Sequence, residues 1–197
     1  LETAGLAFGR LSAQFIRDKV VPELDAFRFA SYCGISGVTK KEETLADGAA
    51  TVAALSAAVT AMDDEEVTAT GRYLFITPTL LQGINDMDTT KSKKVLEGFE
   101  QVIKVPQRRF YTAIKQLSGK TGEEAGGYTK AAGAANINFA IVQKDALIQY
   151  TKHAAPKIIA PENNPDADAY VFGYRMVGIA KAYKNMLSGM YFSHDKA

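Results

Sequence analysis

The chain has 197 residues, of which 47% are hydrophobic, so a sizeable core can be buried in one large domain or two small ones. Its 23 basic and 22 acidic residues nearly cancel, which argues against a protein that grips nucleic acid mainly by net charge. A single cysteine excludes a framework of intrachain disulfides and is typical of a reducing environment, and no apolar run approaches the roughly 20 residues that span a bilayer.

Residues 3–32 are predicted to form one long helix. Apolar residues recur there in steps of three and four, at Ala4, Phe8, Leu11 and Phe15 and then at Ile16, Val20, Leu24 and Phe27. At about 1.5 Å per residue, such a helix would be roughly 45 Å long. We expect Pro22 to kink it or to divide it into two segments, and Cys33 with Gly34 to end it.

The next segments predict a layered α/β arrangement. Apolar spacing predicts a second helix over 45–62, with Thr44 and Asp47 as a modest capping box. The apolar run 73–76 is typical of a buried strand, and Thr77 before a proline is a good helix start. Helix, buried strand and helix in succession indicate α/β layering.

The following stretch is interpreted as loops and short strands. Residues 86–97 are polar and rich in lysine, so we expect an exposed loop there. Residues 99–105 read as a strand stopped by Pro106. Residues 118–134 hold five glycines, and we expect a mobile loop.

The last third alternates in the manner of strands. Ile137, Phe139 and Ile141 are large apolar residues at every second position, as in a strand, and residues 148–150 continue in extended form. Residues 156–165 carry three prolines and are expected to lack regular structure. Residues 170–177 predict a long strand with aromatic side chains on one face, and the chain then turns back into a last strand near 190–192.

The search for catalytic motifs gives a negative result. Residues 118–121, Ser-Gly-Lys-Thr, resemble the end of a phosphate-binding loop, but Ile114 stands where the first glycine is required. His153 and His194 have no partner at metal-ligand spacing, and Cys33 is interpreted as a small core residue. We therefore predict no catalytic and no cofactor-binding residue, and no cofactor.

Charged and aromatic clusters also favour ordinary explanations. The carboxylates of 63–66 are interpreted as a solvated turn, and no metal site is predicted there or at 162–168. Short basic clusters, such as Lys40–Lys41 and Arg108–Arg109, are expected to be solvated. The aromatic residues of 170–174 are interpreted as one face of a packed sheet rather than a base-stacking platform. The residues alone thus indicate a structural or binding role.

Six segments in order resemble the major capsid proteins of tailed bacteriophages. The matching segments are Val21–Ala30, Gly71–Pro78, Val105–Thr112, Ile137–Val142, Lys152–Ile158 and Asn164–Tyr170. The first is similar to the family's Pro-Glu-(Leu/Ile)-Asp-Ala-(Tyr/Phe)-Arg-Phe-Ala segment, and the third to its Val-Pro-x-x-Arg-Phe-Tyr-Thr turn. The resemblance covers nearly the whole chain.

The resemblance implies a mixed α/β fold of the Hong Kong ninety-seven-like coat type. It implies that residues 1–36 are the spine helix of a peripheral domain, 37–150 an axial α/β domain, and 151–197 return strands completing both sheets. The family carries an N-terminal arm and an extended loop before the spine helix. Because Leu1 lies in a segment that already reads as helical, we expect a fragment that lacks both.

The resemblance implies a structural subunit, not an enzyme, that assembles with itself into pentamers and hexamers around the genome of a phage or prophage. The implied partners are other copies of the chain, packaged double-stranded DNA contacted non-specifically on the inner face, and a scaffold or maturation protease, with no membrane. The implied location is the virion, after assembly in the host cytoplasm. Residues 118–134 would adapt to the two ring sizes. The alternatives are a bacterial protein-shell compartment and an α/β enzyme or ligand-binding domain with an unrecognised site.

Overall fold

The structure, a computed structural model, describes residues 4–196 of the chain. Its helices are α1 (Ala4–Phe15), α2 (Val21–Cys33), α3 (Gly48–Asp64), α4 (Pro78–Met87) and α5 (Thr90–Glu97). Its strands are β1 (Thr39–Glu42), β2 (Arg72–Ile76), β3 (Gln101–Lys104), β4 (Ile114–Gln116), β5 (Tyr128–Lys130), β6 (Ile137–Gln143), β7 (Leu147–Ile159), β8 (Val171–Ala182) and β9 (Met190–His194).

The lead helix is divided, as predicted, into two α-helical segments. A π-helical turn over Ile16–Val20 joins α1 to α2, and the Val21 N–H donates to the Ile16 carbonyl five residues back. Pro22 has no N–H to donate, and its ring would crowd the carbonyl of Asp18 in a regular α-helix. The wider π turn relieves that crowding. The predicted end at Cys33 is confirmed, with Gly34 as the C-cap, whereas the expected start at residue 3 lies outside the described residues.

Five strands form the central sheet in the order β1-β9-β6-β2-β3. The outer pairs β1–β9 and β2–β3 are parallel, and β6 runs antiparallel to both β9 and β2. Strands β7 and β8 form a separate long antiparallel hairpin, and β4 and β5 form a short one. The last strand, predicted near 190–192, thus joins the central sheet next to β6 instead of pairing with the strand before it.

Apolar side chains cover both faces of the central sheet. Leu74 and Ile141 belong to one core, which also contains side chains of α3, α4 and α5. Their chain neighbours Phe75 and Val142 contact a second core, which includes Tyr32 of α2. Because successive strand residues point to opposite faces, α3–α5 lie on one side of the sheet and the end of α2 lies on the other.

Two sequence-based expectations about helix starts are wrong. Helix α3 begins after Asp47, whose carboxylate accepts the Ala50 N–H at 2.7 Å, so Asp47 rather than Thr44 is the N-cap. The expected loop over 86–97 contains α5, where the Thr89 and Ser92 hydroxyls each accept a hydrogen bond from the other residue's N–H. Serine in place of glutamate at the third position made this capping box easy to miss.

The expected loop over 156–165 is also wrong in its first part. Strand β7 continues through Pro156, which is opposite Tyr174 of β8, and ends at Ile159. Strand β7 pairs with a neighbouring strand on one edge only. A proline, which has no N–H to donate, is compatible with such an edge strand.

Two other expectations meet regular structure. The domain boundary expected after residue 150 lies inside β7. The glycine-rich segment 118–134, expected to be a mobile loop, contains the short strand β5.

Arg72 is a buried cation at the start of β2. Its side chain is 2% exposed and forms an ion pair with Asp63 at 2.7 Å. Its Nε donates to the Thr68 carbonyl at 3.2 Å, and its Nη2 donates to the Val67 carbonyl. The guanidinium therefore satisfies the carbonyl groups of the turn that links α3 to β2, which compensates for the cost of burying the charge.

The start of α3 touches α4 through two glycines. A Cβ on Gly48 would overlap the carbonyl oxygen of Gly83, so no side chain fits between the two helices here. We expect Gly48→Ala to lower the free energy of unfolding by about 1–3 kcal/mol, because the helices must move apart. Denaturant unfolding measures the change. Gly98→Ala is the matched control: its Cβ would make an ordinary 3.6 Å contact, so a similar loss there would contradict the prediction.

Candidate functional site

Exposed large apolar side chains are concentrated on the lead helix and the β7–β8 hairpin. In the described residues, every such side chain lies on these two parts or directly beside β8, and none on the central sheet or α3–α5. They are Leu6, Leu11, Phe15, Val21, Phe27, Tyr150, Ile158, Tyr170, Val171, Val177, Ile179 and Tyr183. This surface, named here the helix–hairpin surface, presents apolar groups to solvent that a partner can cover.

Aromatic rings join the lead helix to the hairpin at one end and to the central sheet at the other. Phe8 stacks on Tyr170 with ring centroids 4.9 Å apart, and Phe15 meets Phe172 edge to face at 5.9 Å. Further along, Phe29 meets Phe110 at 4.7 Å, as well as a ring of β2. The helix therefore holds the hairpin in place relative to the sheet.

Polar contacts of α2 reinforce this arrangement. Asp25 forms an ion pair with Arg109 at 3.1 Å. Gln116 of β4 donates to the Glu23 carboxylate at 2.9 Å, and the Tyr32 hydroxyl donates to a glutamine of β7 at 3.0 Å.

A groove runs between the lead helix and the hairpin. It has a volume of about 650 Å³. Leu24 and Phe27 line it from α2, while Phe172, Tyr174 and Met176 line it from β8. The prediction that the aromatic residues of 170–174 lie on the face of a packed sheet is consistent with this position, since the side chains of Phe172 and Tyr174 are half-buried.

A second cleft lies between the π turn, the 3-10 turn Gln107–Arg109 and β5. Its volume is about 720 Å³. Its lining is rich in cations, including Arg17, Lys19, Arg108 and Lys130, and among residues 4–196 Asp18 is the single carboxylate that lines it. We name it the basic cleft. Of these residues, Arg108 was predicted, together with Arg109, to be a solvated charge. The convergence of the cations could not be read from the sequence, because they lie on three separate segments.

Residues that sequence reasoning weighed as sites lie apart from one another. Cys33 is buried, burial raises the pKa of its thiol, and its interpretation as a core residue is confirmed. His153 is exposed on β7, and His194 ends β9. Residues 118–121 lie in the exposed loop between β4 and β5. Within residues 4–196, no three His, Cys, Asp or Glu side chains are grouped to hold a metal ion, and no described helix could cross a membrane.

Comparison with protein-family models and with curated proteins gives no match. Among solved structures, the chain is similar to one from Mycobacterium phage Che8, with a TM-score of 0.59 and 10% identity, covering 95% of this chain and 62% of that one. It is also similar to a chain in the capsid structure of the Cyanophage P-SCSP1u, with a TM-score of 0.56 and 16% identity, covering 99% of this chain and 66% of that one. The chain thus shares their fold over less than two thirds of their length. The predicted fold class, mixed α and β with a long lead helix, is confirmed.

The Asp25–Arg109 pair provides a test of the anchorage of α2. The two side chains are 35% and 30% exposed, so solvent screens their attraction only in part. We expect a double-mutant cycle of Asp25→Ala and Arg109→Ala to give a coupling free energy of about 0.5–1 kcal/mol in denaturant unfolding. The same cycle on Arg17 and Asp18, which are 75% and 46% exposed, should give less. Equal coupling in the two cycles would contradict a specific anchor.

The loop between β4 and β5 depends on Glu123. Its carboxylate accepts hydrogen bonds from Lys115 Nζ at 2.5 Å and from the Ser118 N–H at 2.8 Å. These contacts, the lysine contact first, lower the pKa of Glu123 from its ordinary value of 4.5 to about 2. A lowered carboxyl pKa means that the contacts stabilise the folded loop above pH 4.5 and are lost as pH falls through about 2.

An NMR titration of the Glu123 carboxyl group should therefore give a pKa of about 2. Lys115→Gln should raise this pKa toward its ordinary value, because the lysine hydrogen bond is its largest cause. Lys120→Gln removes an equal charge from the same loop without removing that hydrogen bond. If both variants shift the pKa equally, general charge and not the hydrogen bond is responsible.

Proposed function

We propose that the chain is the structural, non-enzymatic subunit of a viral capsid with the Hong Kong ninety-seven-like coat fold, encoded by a phage or prophage. The observation that carries the proposal is the confinement of exposed large apolar side chains to the helix–hairpin surface. A shared fold with a chain of a cyanophage capsid structure supports it, as does the resemblance of six ordered segments to phage major capsid proteins.

In this proposal the two parts of the fold have different tasks. The lead helix with the β7–β8 hairpin forms the peripheral domain, and the central sheet with α3–α5 forms the axial domain. We keep the expected division into a spine helix at 1–36, an axial domain at 37–150 and returning strands at 151–197, although β7 crosses the second boundary. Axial domains gather into pentamers and hexamers, and peripheral domains join neighbouring subunits into a closed shell around the genome.

The energetics of the helix–hairpin surface favour assembly by many weak contacts. Burying one large apolar side chain contributes about 1.5–3 kcal/mol. Much of that gain offsets the freedom lost on association, so a single contact is weak. A closed shell repeats each contact in every subunit, and the repeated contacts sum to a stable particle.

The partners follow from the same proposal. They are other copies of the chain, packaged double-stranded DNA contacted non-specifically, and a scaffold or maturation protease. The assembled protein belongs to the virion and is built in the host cytoplasm.

Electron microscopy of the intact gene product tests the proposal. We expect closed shells or capsomer rings. Leu6→Gln with Leu11→Gln should raise the protein concentration needed for assembly about tenfold or more, because both leucines are more than half exposed and glutamine keeps the helix propensity. Sedimentation measures the assembled fraction.

Ala53→Gln with Ala57→Gln is the control for this experiment. Both alanines are exposed on α3, outside the helix–hairpin surface, so assembly should be unchanged. A protein that stays monomeric at every concentration would sink the proposal and favour an enzyme or ligand-binding domain. Shells that enclose a protein cargo and no nucleic acid would replace the virus with a bacterial compartment.

A further inference from the structure

The basic cleft brings together five cations that are distant in sequence. Arg17 and Lys19 come from the π turn, Arg108 and Arg109 from the 3-10 turn, and Lys130 from β5. Three elements must pack together to place these charges, so the cluster is a feature of the fold and not of one basic segment. It stands out because the chain as a whole carries a net charge of only +1.

Part of this positive charge is free of internal partners. Arg17 pairs with Asp18 at 2.9 Å, and Arg109 pairs with Asp25 of α2 at 3.1 Å. Within the described part of the chain, the side chains of Lys19 and Arg108 have neither an ion-pair partner nor a hydrogen-bond partner, and both are exposed. The cleft therefore carries uncompensated positive charge.

The remaining lining suits a polar, anionic ligand. Lys130 Nζ lies 5.8 Å from the centre of the Tyr111 ring and donates to Asn136 at 3.1 Å. Gly126 and Gly127, both with positive φ, lie at the cleft, and a Cβ on either would meet nothing within 4 Å. This rim is open for the close approach of a ligand.

The geometry points to the basic cleft as a binding surface for the phosphate backbone of DNA. Three of its five cations are arginines. A planar guanidinium group can donate two parallel hydrogen bonds to two oxygens of one phosphate. Its volume of about 720 Å³ exceeds that of a single phosphate group. Two prolines and one alanine are the wholly aliphatic residues of the lining, so a protein segment would find little apolar surface to bury.

Such binding is electrostatic, independent of sequence and sensitive to salt. The inference identifies the basic cleft as the surface by which the chain would contact packaged DNA. In that respect the inference rests on the proposed function. A single near-neutral chain with one local basic cleft binds DNA weakly. In a shell, many such clefts bind the same DNA, and their combined affinity is much higher than that of one cleft.

Fluorescence anisotropy of the full chain with a short labelled duplex tests the inference. We expect Lys19→Gln with Arg108→Gln to weaken binding about tenfold or more at low salt and to reduce the slope of log affinity against log salt by about two. Within residues 4–196, neither side chain forms an ion pair or a hydrogen bond, so the thermal midpoint of unfolding should change little. Lys91→Gln with Lys94→Gln, two exposed lysines of α5, removes the same charge as a control and should retain most of the affinity.

Three results would overturn the assignment. They are no binding of duplex by the unaltered chain, equal losses in the two double variants, and competition by polyglutamate as strong as that by DNA, which would assign the cleft to an acidic protein segment.

Electron microscopy of the same proteins separates this inference from the proposed function. Shells together with cleft-dependent DNA binding support both. If shells form and their affinity for DNA is the same with and without the cleft substitutions, the inference is wrong and the proposed function stands. Cleft-dependent DNA binding by a protein that forms no shells overturns the proposed function and leaves the cleft assignment standing.

Discussion

Strand β6 is buried along its whole length, and this constraint determines how the rest of the chain is arranged. All seven residues of Ile137–Gln143 are buried. A strand buried on both faces needs a cover on each side of its sheet. Helices α3–α5 supply one cover, and the end of α2 with Phe110 supplies the other. The lead helix must therefore dock on the sheet, and its remaining length projects along the β7–β8 hairpin.

Because the lead helix docks on the sheet only at the end of α2, its other end, α1, has few neighbours. Leu6 and Leu11 of α1 stay more than half exposed, although Leu11 belongs to the apolar stripe that predicts a buried helix face. In an isolated subunit this surface carries an unfavourable free energy of hydration. The burial of β6 and the exposure of α1 are thus two results of the same geometry, because the end of α2 covers the sheet while α1 lies beyond it, against the hairpin.

Sequence reasoning found the elements whose own residues determine their structure. The apolar run of β2, the proline start of α4 and the aromatic alternation of β8 were predicted correctly because each is a local pattern. It missed α5, since Val95 and Leu96 are its main apolar residues and its capping box uses Ser92. The helix–hairpin surface and the basic cleft depend on which segments meet. The Asp25–Arg109 contact joins residues 84 positions apart, and no spacing rule predicts such a pair.

The π turn Ile16–Val20 separates two functions of one helix. A π turn holds one residue more than an α-helical turn, so a chain one residue shorter could make the same revolution with α-helical bonds and leave α1 facing nearly the same way. Pro22 opposes that shortening, because its ring would again crowd a carbonyl four residues back. The extra residue therefore lets one helix continue across a proline, with its outer half in contact with the hairpin through Phe8 and Phe15 and its inner half in contact with Arg109 and Phe110.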